Sequence, residues 1–234
     1  MTTTTLTLPG RSWRALATHA ATEKTRYAMT GAALCATPEK AKAWGLTSPT
    51  VLCSTDGKAA LLLAHDGPAP SELLLVLPPK VAKTKAATNG EHVGATIPNG
   101  TGGHYPPIDE DTGIFPPTSE HAAELDVDGL RGLFLIGRDD DDACRFTVGG
   151  RGAKVVVRDA IHDVTRSAEL GAFVDSGEAP CVGLNARLVR RVLDAAELLG
   201  VTLVTVSVVD ERKAVVFSFG ARGLALVMPV VLPK

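Results

Sequence analysis

The residues with the means to do chemistry are few and scattered. Asp139-Asp140-Asp141-Asp142 sets four carboxylates in a row, a donor type that suits hard cations. Consecutive residues cannot all turn toward one ion without a shaped loop, and neither the glycine nor the distal glutamate of a calcium-binding loop follows. The run reads as a solvated turn. Gly149-Gly150-Arg151-Gly152-Ala153-Lys154 lacks the Lys-Ser/Thr ending of a phosphate loop, so it is read as the turn of a hairpin. His19, His65, His92, His104, His121 and His162 include no H-x-x-x-H pair, and no Ser, His and Asp fall into a nucleophile setting. Cys35, Cys53, Cys144 and Cys181 form no C-x-x-C pair and read as small buried thiols of a reducing compartment. No enzyme, cofactor or metal site is expected. An enzyme working through the acidic turn is a rival that would need Asp140 and Asp141.

The basic side chains are more orderly. Arg187, Arg190 and Arg191 fall at i, i+3 and i+4, opposite an apolar stripe of Leu188, Val192, Ala196 and Leu199. Arg11 and Arg14 share an earlier helical segment, Lys24 follows it, and Lys80 and Lys83 sit on another. Such faces are ordinarily just solvated; three helices with the same bias also suit a surface that meets phosphates. Asp194 and Glu197 continue the arginine face and argue for weak contact.

The elements that must carry these residues come from a chain of 234 residues that is 45% hydrophobic and only 4% aromatic, so its core is Ala, Val and Leu. Mean hydropathy is +0.14, the signature of a folded chain. A formal net charge of −2 excludes a protein that is basic all over but permits a local basic face. The start MTTTTLTLPGRSW lacks the basic, long-apolar pattern of a secretory signal, and the longest apolar runs fall short of a membrane span, so a cytoplasmic protein is expected.

Composition breaks between Asn99 and Ser119, where Pro-Pro pairs and glycines stop regular structure, dividing the chain into domains at 1–115 and 120–234. In the first, a strand Thr5–Leu8 leads to a helix from about Gly10 with Trp13, Leu16, Ala17 and Ala20 on its buried face. Strands at 27–36 and 50–64 and LLLVLP follow, then a helix over PKVAKTKAA. In the second, a strand Glu124–Val127 precedes a helix over DGLRGLFLIG. CRFTVGGRGAKVVVRDA forms a hairpin turning at Gly149-Gly150. CVGL is a strand ending at Asn185, which caps a helix running to Gly200. Three strands close the chain, VTLVTVSVV, KAVVFSF and LALVMPVVL. The repeat of this order implies a duplicated α+β domain, each copy two helices packed on antiparallel sheets.

Several segments carry a family resemblance. Arg26-Tyr27 with Gly31, Thr55-Asp56-Gly57, Pro79-Lys80 and Gly103-His104-Tyr105-Pro106 stand in the order found in the middle domain of the bacterial DNA polymerase III beta sliding clamp. The tail VGLNARLVRRVLDAAELLG…ALVMPVVL resembles that family's last domain, which also has an Asn-capped helix and a terminal Met-Pro strand. The resemblance spans nearly the whole chain. It implies a DNA clamp fold and a processivity factor of DNA replication, with a central hole lined by Arg11, Arg14, Lys24, Lys80, Lys83, Arg187, Arg190 and Arg191. Double-stranded DNA would be held topologically and without sequence preference.

The resemblance also implies a pocket for a short linear peptide of polymerases and repair proteins. Its walls would be Met29, Thr55, Gly57, Lys58, Ala59 and Ala60 on one side, with Pro106, Val227, Met228, Pro229 and Val230 on the other. Ala59-Ala60 are small where the family has Arg-Leu, which implies a shallower groove. The bacterial clamp has three domains per chain and closes as a dimer. A chain with room for two needs three copies for six modules, so a homotrimer is expected, with a clamp loader as a further possible partner. The first unit looks abbreviated after its second helix, which favours a rival in which no ring forms and the clamp fold serves as a peptide-binding or regulatory module.

Overall fold

The computed structural model describes residues 4–21, 29, 31–70, 74–76, 91–97, 115–119, 121–136, 142–175, 177 and 179–231. The chain divides into two compact units, Met1–Gly113 with Ala221–Leu224, and Ile114–Gly220 with Ala225–Lys234.

The first unit opens with β1 (Thr4–Pro9), whose alternation puts Leu6 and Leu8 inward. Its partner is β6 (His92–Ile97), antiparallel, with Leu6 opposite Ala95 and Leu8 opposite Val93. Sequence reasoning missed β6, whose Gly94 and lone β-branched residues make a weak strand pattern. Between them, α1 (Gly10–His19) buries Trp13, Ala15, Leu16 and His19. Ala17 is exposed and Ala20 half-buried, so the inward face is rotated from the expected Ala17/Ala20 stripe. The Trp13 indole N–H donates to the Val93 carbonyl at 2.9 Å, tying the helix to β6.

A second layer runs in the order β5-β2-β3-β4, with β2 at Ala32–Ala36, β3 at Thr50–Thr55, β4 at Ala59–His65 and β5 at Leu74–Val76. All its pairings are antiparallel. β3 is buried at five successive positions, as a strand covered on both faces must be, and α1 packs on β3 and β4. β2 is shorter than the expected 27–36. A short helix not foreseen, α2 (Glu39–Ala43), follows it, opened by Pro38, with Glu39 in its first turn. The helix expected over PKVAKTKAA, the Arg26-Tyr27 pair and the Gly103–Pro106 element lie outside the described residues.

In the second unit, β7 (Ala122–Asp126) leads into α3 (Val127–Leu133), capped by the Asp126 carboxylate, which accepts the Gly129 N–H at 2.6 Å. The helix stops short of the expected Gly137. Two further corrections follow. CRFTVGGRGAKVVVRDA is not a hairpin; it is one strand of 17 residues, β8 (Ala143–Asp159). The turn lies beyond it, and the return strand is β9 (Val164–Phe173). Seven of the ten residues of β9 are exposed.

The glycines mark where β8 changes partner. Its first part pairs with β10 (Cys181–Asn185), Thr147 opposite Cys181; its later part pairs with β9, from Gly150 opposite Phe173 to Asp159 opposite Val164. At the changeover the backbone twists, with φ +62° at Gly150, and a side chain on Gly149 would come within 2.2 Å of the Val174 carbonyl oxygen.

Asn185 caps α4 (Ala186–Leu198) as expected, its side-chain amide oxygen accepting the Leu188 N–H at 3.1 Å. The helix ends at Gly200, whose N–H reaches the Glu197 carbonyl at 2.9 Å. β11 (Leu203–Ser207), β12 (Val215–Ser218) and β13 (Gly223–Val227) follow in the places the sequence suggested, giving the order β7-β11-β12-β13. The core here joins Phe134, Phe146 and Phe217: the first two stack at 6.4 Å, and Phe146 meets Phe217 edge-on at 6.0 Å.

Candidate nucleic-acid interface

α4 shows why three arginines can share one outer face. Leu188, Val189, Val192, Leu193, Ala195 and Ala196 fill the inward side, so Arg187 is left exposed and Arg190 and Arg191 half-buried. Arg191 is thus more enclosed than a simple solvated row implies. On α1, Arg11 is exposed and Arg14 half-buried. Lys24, Lys80 and Lys83 lie outside the described residues.

α3 packs on α4 and brings a cation that sequence reasoning missed. The Arg131 guanidinium reaches the Glu197 carboxylate at 2.8 Å and the Asp194 carboxylate at 3.5 Å. Beside this ion pair an open cavity of about 230 Å³ is lined by Arg131, Arg190 and Asp194 together with Phe134 and Leu135. Asp194 and Glu197 therefore do more than dilute the face, since they hold a fourth basic group, Arg131. The spacing of Arg131 after an Asp-capped helix start was the available signal, but which helix it would face is a tertiary fact.

The turn at Thr55-Asp56-Gly57 is built from its own side chains. The Thr55 hydroxyl donates to the Ala59 carbonyl at 2.7 Å, and the Asp56 carboxylate accepts the N–H groups of Lys58 and Ala59, both at 2.9 Å. Gly57 has φ +88°, a conformation only glycine adopts without strain. Gly57 and Lys58 are exposed and Thr55 half-buried, whereas Ala59 and Ala60 are buried. Met29 is half-buried, and its carbonyl accepts the Ala21 N–H at 2.9 Å.

In the second unit Val227 is buried, Pro229 half-buried, and Met228 and Val230 are 43% and 38% exposed. The Val230 N–H donates to the Gly183 carbonyl at 2.8 Å, which anchors this tail on β10. Pro106 lies outside the described residues.

The acidic run was read wrongly at one end. Asp142 is buried, its carboxylate accepts the Ala160 N–H at 2.8 Å, and its carbonyl accepts the Ala186 N–H at 3.0 Å. It is a brace for β8 and α4, not a solvated turn; Asp139, Asp140 and Asp141 lie outside the described residues. Among the described residues no three of His, Cys, Asp and Glu stand together to hold a metal ion. Burial pushes the Cys35 thiol up to about 11 and the Cys144 thiol higher still, which suppresses their thiolates. Cys181 departs from the expected buried set, because it is exposed at the start of β10. Among the described residues no helix is long and apolar enough to cross a membrane.

Two units, each of helices packed on antiparallel strands, define the α+β class of DNA clamps. No family model and no curated protein matches the chain. Solved structures do. The beta subunit from DNA polymerase of Streptococcus pyogenes matches 98% of this chain with a TM-score of 0.67 at 14% identity. The DNA polymerase sliding clamp from Caulobacter crescentus matches 98% with a TM-score of 0.66 at 17% identity. A third, the DnaN sliding clamp from Pseudomonas aeruginosa bound to griselimycin, matches 98% with a TM-score of 0.66 at 15% identity. The chain spans 66% of each of these proteins, just under two thirds of their length. The fold of this chain is that of the bacterial DNA polymerase III beta sliding clamps.

Proposed function

We propose that the chain is a DNA sliding clamp, a non-enzymatic processivity factor that encircles duplex DNA and tethers polymerase or repair proteins. The observation that carries the reading is the basic outer row of α4, Arg187, Arg190 and Arg191, in a chain with the clamp fold. Arginines on a rigid helix can meet phosphates without reading sequence, and loose contacts permit sliding. Linkage by a ring raises a partner's effective concentration at the template without tight binding. Arg11 and Arg14 would add to the DNA face, with Lys24, Lys80 and Lys83.

In this reading the first unit takes the place of the clamp's middle domain and the second that of its last domain. Six such modules, two per chain, would make a homotrimeric ring. The edge of β9 supports this: it ends the order β10-β8-β9, so among the described residues its outer backbone groups have no strand partner. Of the residues expected to receive partner peptides, Met29, Thr55, Gly57, Lys58, Ala59, Ala60 and Pro106 belong to the first unit and Val227–Val230 to the second. The exposed Met228 suits such a role, since a flexible thioether adapts to varied peptides. A clamp that binds griselimycin has the same fold, which supports a ligand-receiving surface here.

The test is the triple variant R187E/R190E/R191E. Retention on circular duplex DNA should fall by an order of magnitude or more while the thermal midpoint stays near wild type. Unchanged retention sinks the interface. The rival, a clamp-fold peptide-binding module that closes no ring, would be selected by a monomer in solution.

A further inference from the structure

We infer that Asp194 and Glu197 act as an electrostatic brake on the α3–α4 surface by holding Arg131 away from the nucleic-acid backbone. The inference rests on the DNA reading above and names how that surface is kept weak.

Arg131 leaves α3 and meets two carboxylates of α4, Glu197 at 2.8 Å and Asp194 at 3.5 Å. These side chains are 35%, 57% and 41% exposed, so water and salt screen the pair and it can open. Guanidinium binds carboxylate and phosphate through the same planar fork, so a phosphodiester oxygen competes for the same N–H groups. Arg190 and Arg131 both line the adjoining cavity, and Phe134 and Leu135 give it an apolar wall. A phosphate presented there would face two guanidiniums and the Asp128 carboxylate, which also lines the cavity. With the brake engaged, Asp128, Asp194 and Glu197 together outnumber the two cations, whereas in D194N/E197Q the cations would face Asp128 alone. The Arg166 guanidinium donates to the Gly132 carbonyl at 3.1 Å, which ties the end of α3 to β9. Arg131 can therefore change partner by moving its own side chain, without a shift of the helix.

Four proteins decide it: wild type, D194N/E197Q, R131Q/D194N/E197Q and R131Q, each titrated against one short linear duplex over a range of salt. Asn and Gln keep shape and lose charge, and thermal midpoints check the fold. D194N/E197Q should bind several-fold tighter than wild type. One further phosphate contact should steepen its slope of log affinity against log salt by about 0.9. Adding R131Q to that pair should return the slope to the wild-type value, while R131Q alone should leave it unchanged. If wild type binds and D194N/E197Q binds no differently, the brake is overturned and the DNA reading survives. If the triple variant keeps the steeper slope, the released cation is not Arg131 and the inference also falls. If none of the four binds the linear duplex, the brake falls, and retention on circular duplex DNA decides the DNA reading separately.

Discussion

Asp159 organises the β8–β9 turn, beside the Arg158–Asp163 ion pair and the Asp142 carboxylate that accepts the Ala160 N–H. The Asp159 carboxylate accepts the N–H groups of Ile161 at 3.1 Å and His162 at 2.9 Å, and contacts the His162 ring at 3.0 Å. These bonds, the His162 N–H first and its ring second, hold its pKa below the ordinary aspartate value of 3.8. A carboxyl whose folded value is depressed stabilises the fold fully above its unfolded value and ceases to as acid titrates it. The contribution should therefore stand at neutral pH and fade as pH falls from about 3.8 toward the lower folded value. D159N keeps an oxygen for the two N–H groups but has no proton to gain. The difference in thermal midpoint between wild type and D159N should thus shrink across that acid window; a difference independent of pH would refute the role. Little of this was visible beforehand, because D-A-I-H-D reads as any polar turn until its strands are known. The capping residues were legible at Asn185 and in Thr55-Asp56-Gly57, where the chemistry is local and the side chains bond backbone within a few residues. Arg131 was not, since its partners lie 63 and 66 positions away on another helix.

Elements with one clear face or one clear end declared themselves; elements whose form depends on a neighbour did not. β3, β4, α4 and the closing strands carry apolar runs that only burial explains. β8 misled because Gly149-Gly150 is the usual chemistry of a tight turn, and the same residues also permit a strand to twist and change partner. The two uses are separated by the space around the glycine. A tight turn has room outside it, whereas Gly149 faces the Val174 carbonyl oxygen, 2.2 Å from where a methyl would stand. G149A should accordingly destabilise the protein by about 1–3 kcal/mol, the range of an overpacked position. An alanine in a simple exposed turn would cost a small fraction of that. Chemical unfolding of the variant measures the difference, and a midpoint equal to wild type would mean that β8 bends elsewhere.

For the whole molecule the open question is closure, and β9 is where it can be asked. The strand is ten residues long, contains no proline, and alternates Val164, Ala168, Leu170 and Ala172 with Thr165, Ser167, Glu169 and Gly171, broken by Arg166 and Phe173. That period-2 pattern belongs to a strand with one covered face, yet Val164 is 42% exposed in the single chain. Among the described residues its outer edge is also a row of backbone donors and acceptors without a strand partner, which folded proteins seldom leave bare along such a length. A second copy laid along that edge would cover both. The native mass at micromolar concentration should then be three times that of the chain. S167P, which removes one N–H from β9 and stiffens the strand, should shift the mass toward the single chain and reduce retention on circular duplexes while leaving the intrinsic contact with short linear duplexes in place. Loss of both would indicate a misfolded unit, which the thermal midpoint reads directly. A wild-type protein that stays a monomer at high concentration removes the ring and leaves the clamp fold as a peptide-binding module, with α4 still available to be tested on DNA.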